Sequence, residues 1–130
     1  MAKKPVWKIG LKMVEVTKDG RYISPGWGAA VRGMTYTPGK KVMANGLNKD
    51  KNSSCGAGIN LSDGMKWFEY EHKRKINSTK YKILFVKYNA NLAVIPHDGK
   101  GKFRVREGFV MKEMPSIIPA KYRVSRYPRV

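Results

Sequence analysis

Tyr81-Lys82-Ile83-Leu84-Phe85-Val86-Lys87-Tyr88 is the stretch on which the fold turns. It is rich in β-branched and aromatic residues, and its middle is apolar on both faces. That pattern predicts a central strand, packed by a helix on one side. A central strand needs neighbours, and both flanks offer them. Upstream, Trp7, Ile9, Leu11 and Met13 alternate with Lys8, Gly10, Lys12 and Val14, the period of a half-buried strand. Lys18-Asp19-Gly20 then makes a turn, and Arg21-Tyr22-Ile23 returns as a short partner. Pro38-Gly39 reads as a type II turn between two further extended stretches, because Gly accepts the positive φ that such a turn needs. Downstream, Leu92-Ala93-Val94-Ile95-Pro96 reads as a short strand and His97 to Gly101 as a turn. Lys102 to Met111 is the return strand, with Phe103 and Val105 alternating against Arg104 and Arg106, and Gly108 marking a bulge.

Between these strands lie a long loop, Asn45 to Gly58, and one helix. Ser62 or Asp63 can cap the helix by offering a side-chain oxygen to its unpaired amides. Met65, Phe68 and His72 fall at helical spacing and form an inward stripe, with Trp67 and Tyr70 beside it. Lys73-Arg74-Lys75 stands at the expected C-terminal end, where cations interact favourably with the helix dipole. Strands, one short helix and strands again predict a single α+β domain over residues 1–113, with a mainly antiparallel sheet. From Met114 to Val130 the chain carries three prolines and no helical or hairpin signal. That composition predicts an extended basic C-terminal arm, since proline removes amide donors and favours extended backbone.

The 130 residues hold 27 Lys plus Arg against 9 Asp plus Glu, a formal net charge of +18. With 42% hydrophobic residues the chain can bury a core, so wholesale disorder is excluded. The charge must instead meet something anionic: nucleic acid, an acidic partner or a membrane surface. No apolar stretch reaches the roughly 18–20 residues of a membrane-spanning helix. The single cysteine, Cys55, excludes an internal disulfide framework.

Catalytic chemistry finds little support. Cys55 lies in a Ser-Ser-Cys-Gly-Ala-Gly loop, and only His72 and His97 can act as imidazole bases for it. A free Cys is more often a small buried residue than a nucleophile. Two His, one Cys and scattered carboxylates show no metal-ligand spacing, so neither metal nor cofactor is expected. Gly56-Ala57-Gly58 lacks the third spaced Gly or the Lys-Ser/Thr pair of a nucleotide cradle. What remains is a basic surface interleaved with Tyr81, Tyr88, Tyr122 and Tyr127. It suits phosphate contacts and base stacking, and equally a protein interface.

Residues Ser54 to Glu113 carry a Cys-Gly-x-Gly entry (Cys55 to Gly58), a short helix, the strand Tyr81–Tyr88, a Val-x-x-Pro-x-Asp turn and a Lys-x-Arg-Val strand. The turn is Ala93-Val94-Ile95-Pro96-His97-Asp98, and the last strand opens Lys102-Phe103-Arg104-Val105-Arg106. This order resembles a small, largely unassigned domain found in proteins of tailed phages and other large double-stranded DNA viruses. In those relatives a His often follows the Gly-aliphatic pair, where this chain has Asn60.

The resemblance implies a viral origin. With the missing catalytic set and the arm, it leads to the expectation of a non-enzymatic viral binding protein, a minor capsid or assembly component of the particle. Its partners would be other viral structural proteins, in an oligomeric context, with non-specific phosphate contacts to nucleic acid. Its place would be the virion, after the host cytoplasm. Lys73, Arg74, Lys75, Lys121, Tyr122, Arg123, Arg126, Tyr127 and Arg129 are the expected contact residues. Two alternatives stand beside it: a nucleic-acid-binding protein of the infected cell, and a small transferase-like host-modifying enzyme using the Cys55-to-Ser62 loop, with Asn60, and His97-Asp98.

Overall fold

β5 (Tyr81–Asn89) lies in the middle of a seven-stranded sheet, as its apolar sequence demands. The computed structural model describes residues 4–24, 34–53, 56–71, 79–115 and 119–122. On one side β5 pairs with β1 (Trp7–Val16), from Trp7 opposite Asn89 to Glu15 opposite Tyr81. On the other it pairs with β7 (Glu107–Glu113), which carries β3 (Lys41–Met43) on its far edge. β1 leads through β4 (Ile59–Ser62) to β6 (Lys102–Val105), and β2 (Tyr22–Ile23) pairs with its end. Each pair is antiparallel, the arrangement expected from the sequence. Because β6 runs into β7 through the single residue Arg106, the sheet curls to bring its β6 edge back towards β7.

The curl gives the sheet two faces with different cores. Inside it, Val14, Leu84, Val86 and Tyr88 meet Ile59, Leu61, Phe103, Val105 and Val110. Alternate residues of the same strands, Leu11, Met13, Ile83 and Phe85, point outward and are covered by Met65 and Phe68 of the helical segment. The helix α1 (Lys66–Glu71) is one and a half turns, too short to be stable alone, so this apolar contact is what holds it. It starts later than the capping residues suggest. Ser62 ends β4, and its hydroxyl bonds around Gly64 instead. His72 and the basic run Lys73, Arg74 and Lys75 lie outside the described residues.

Four local expectations change. The strand expected over Leu92–Pro96 is a 3-10 turn, Ala90–Leu92, followed by a single bridge from Val94 to Arg104. The cause is Asn89, whose side-chain oxygen accepts from the Asn91 and Val6 amides at 3.1 and 3.2 Å and caps that turn. The long return strand divides at Arg106 into β6 and β7. Gly108 sits in regular register with Val42, and the irregularity falls between the Leu84 and Val86 pairings. A glycine is needed at 108 because a Cβ there would stand 2.6 Å from Val86 Cγ1. The expected arm, finally, begins inside the core. Met114 is buried, and its amide donates to the Ile83 carbonyl at 2.7 Å. Tyr122 is buried too, its ring 5.5 Å from that of Phe85, so it anchors the chain and is not a surface contact. Residues 123–130, with Arg123, Arg126, Tyr127 and Arg129, lie outside the described residues.

One charge points into the inner core. Lys12 is 8% exposed beside Leu84, its Nζ 5.5 Å from the Tyr36 ring centroid. Burial lowers its pKa to about 8, while burial raises the Tyr36 phenol to about 12 against the opposing hydrogen bond from Ser24. Between pH 8 and 10 the unfolded lysine keeps its proton and the folded one releases it, so stability rises with pH. Above pH 10 the sign reverses, because the unfolded tyrosine ionises first. Urea unfolding of the wild type at pH 7.0 to 9.5 is expected to show a gain of at most about 1.4 kcal/mol per pH unit. Lys12→Met should flatten that rise, and an unchanged slope in the variant would count against a buried titrating lysine.

Candidate functional site

The outward positions of β1 grade from open to closed. Trp7 is 58% exposed and Ile9 37%, while Leu11 and Met13 are buried. The helical segment and Tyr122 cover only one half of the outer face, and the other half is bare. On the bare half the registers place Lys41, Phe109, Lys87 and Ile9 in one row across β3, β7, β5 and β1. Neighbouring strands lie about 4.8 Å apart, so the row spans roughly 14 Å. Cation and apolar side chains alternate along it, and Phe109 is 43% exposed. Met43 and Met111 are exposed on the same face of β3 and β7.

An open groove of about 710 Å³ runs beside this row, bordered by Trp7, Lys49, Lys87, Arg106 and Phe109. The Lys87 ammonium lies 5.3 Å from the Trp7 ring centroid, within reach of the negative face of the indole. Lys41 bonds Glu107 at 2.9 Å in an exposed ion pair, which offsets part of its charge. Lys49, Lys87 and Arg106 are exposed and stand on the same groove. A second groove, about 670 Å³, opens on the other flank of Trp7 between Lys8, Ile95 and Lys121. The indole thus borders both channels, in which cations outnumber the one carboxylate of each, Glu107 in the first and Asp63 in the second.

The loop before β4 is fixed by an internal charge. Arg104 alternates with Phe103 and Val105, which predicts a solvent-facing position, yet it is fully buried. Its Nε donates to the Asn48 carbonyl at 2.9 Å, Nη1 to Ser53 at 2.9 Å and Nη2 to Asp50 at 2.8 Å. The loop that supplies these carbonyls also carries Lys49 to the groove edge. Lys102, one alternate position earlier, is likewise buried, its Nζ 4.1 Å from the Trp67 ring centroid.

Of the residues expected to make contacts, Lys121 is exposed on the second groove, Tyr122 is core, and the others lie outside the described residues. The interleaved tyrosines are corrected as well: Tyr88 is buried, and Tyr81 packs against the outer core. Trp7 and Phe109 take their place as the rings that face outward.

Asn60 donates its amide to the Gly56 and Gly58 carbonyls at 3.3 and 3.5 Å. His97 is exposed in a turn whose backbone amide donates to the Lys51 carbonyl, and Cys55 lies outside the described residues. Among the described residues, no three His, Cys, Asp or Glu side chains gather as metal ligands, and no helix is long and apolar enough to cross a membrane. Comparison with known proteins returns no match to a family model, a curated protein or a solved structure.

Proposed function

We propose that this chain is a non-enzymatic binding protein that receives nucleic acid on the bare half of its outer sheet face. The observation that carries the reading is the row of Lys41, Phe109, Lys87 and Ile9, with Trp7 and two cationic grooves beside it. Exposed rings among cations suit a partner that presents phosphates and stackable faces at a regular spacing, as every nucleotide of a nucleic acid does. The net charge of +18 supplies long-range attraction to such a partner. The resemblance to domains of large double-stranded DNA viruses supports a role beside a viral genome, in the particle or in the infected cell. The basic residues Arg123, Arg126 and Arg129, expected to form an arm, would add phosphate contacts.

Methionine-methyl and indole NMR tests the location of binding. On adding an oligonucleotide, the Met43 methyl and the Trp7 indole are expected to shift, while the Met13 and Met65 methyls beneath the helical segment stay in place. Shifts confined to Met13 and Met65, or none at all, would overturn the assignment.

A further inference from the structure

Resting on that reading, we infer that the nucleic acid is single-stranded, with unpaired bases stacked on Trp7 and Phe109 and the backbone running along the grooves on either side of Trp7. A duplex keeps its base faces stacked inside and offers a protein phosphates and groove edges. Reading those edges needs a protruding helix or ribbon that enters the major groove. The one α-helix described here has six residues and turns Phe68 into the core. Among the described residues, no longer helix is available to insert.

The bare face has what an unpaired strand needs. Its two exposed rings stand on sheet strands and present area to any base, whatever its identity, because every base has a π-face. Cations flank the rings rather than replace them. Lys87 holds its ammonium 5.3 Å from the Trp7 centroid, so a base on the indole and a phosphate on the ammonium would be met together. Trp7 borders both grooves, with Lys49 and Arg106 in the first and Lys8 and Lys121 in the second. A strand lying over the indole therefore finds cations both before and after it. Stacking on the two rings and phosphate contacts with the cations are common to every nucleotide, so binding should be largely tolerant of sequence.

The test compares a fluorescein-labelled single strand of about twelve nucleotides with a blunt duplex of equal length at low salt, using the full chain. The single strand is expected to bind at least tenfold tighter. Trp7→Ala should weaken it roughly 5- to 150-fold, the range for loss of one stacked base, and leave duplex binding within about twofold. Trp7→Phe, which keeps a ring, should retain most of the affinity. An unchanged melting temperature is expected for both variants, because the side chain is mostly exposed. Equal or tighter duplex binding, with Trp7→Ala neutral, would overturn the single-strand inference while leaving the nucleic-acid face standing. Binding of neither probe would overturn both. Polyglutamate competing as well as the single strand would show that charge alone is recognised, and would also overturn the inference.

Discussion

Arg104→Met is expected to lower the unfolding free energy by about 3–5 kcal/mol, the largest stability effect of any exposed-looking basic residue in the sequence. The guanidinium is fully buried and bonds three carbonyls from three different nitrogens, at 2.8 to 2.9 Å. Removing it strands those carbonyls and frees the loop they belong to. For a domain whose total stability lies between about 5 and 15 kcal/mol, that is a large share. Urea unfolding measures the loss, and hydrogen exchange at residues 48–53 should accelerate beyond the rest of the chain. Arg104→Lys should be nearly as damaging, because one ammonium cannot reproduce a planar fork aimed at three separate acceptors. A lysine variant within about 1 kcal/mol of wild type would mean that charge, and not geometry, holds the loop.

The second large effect is on binding. Replacing Lys49, Lys87 and Arg106 together with Gln is expected to weaken single-strand affinity roughly 10²- to 10³-fold at 50 mM salt. Each phosphate contact with a single strand contributes a slope of about −0.7 in log K against log salt. Three contacts contribute about −2, and extrapolation from 1 M to 0.05 M salt converts that slope into the stated factor. All three residues are exposed, so the fold should survive the exchange. Lys41 is left out because Glu107 already pairs with it at 2.9 Å. A comparable triple exchange at Lys18, Lys40 and Lys112, which are exposed and do not border the first groove, serves as the control for net charge and should cost far less.

The sheet was legible in the sequence where periodicity speaks directly. Tyr81 to Tyr88 announces a strand covered on both faces, and Trp7 to Val14 a half-buried one. Both pair as long antiparallel neighbours. The site was not legible, for a geometric reason. Trp7, Ile9, Leu11 and Met13 share one face of β1, and the sequence is equally apolar along all four. Only the docking of Met65, Phe68 and Tyr122 decides which half of that face is closed. Phe109 is exposed through the same asymmetry, since its neighbour Val110 takes the inward position. Arg104 misled in the opposite direction. Alternation placed it outward, correctly, but outward on β6 means beneath the 48–53 loop, whose carbonyls meet it. Such non-local closure leaves no mark on local period. Tyr122 is a further case, because three nearby prolines signal extended chain and say nothing about what that chain lies against.

The most direct measurement is the salt dependence of single-strand affinity for the wild type beside the Lys49, Lys87 and Arg106 triple variant. Fluorescence anisotropy between 50 and 200 mM salt spans a range in which several phosphate contacts change affinity measurably. A wild-type line of log K against log salt steeper than about −2 is expected, with the variant flatter by about 2. Parallel lines for the two proteins, or affinity that does not respond to salt, would contradict a nucleic-acid site on this face.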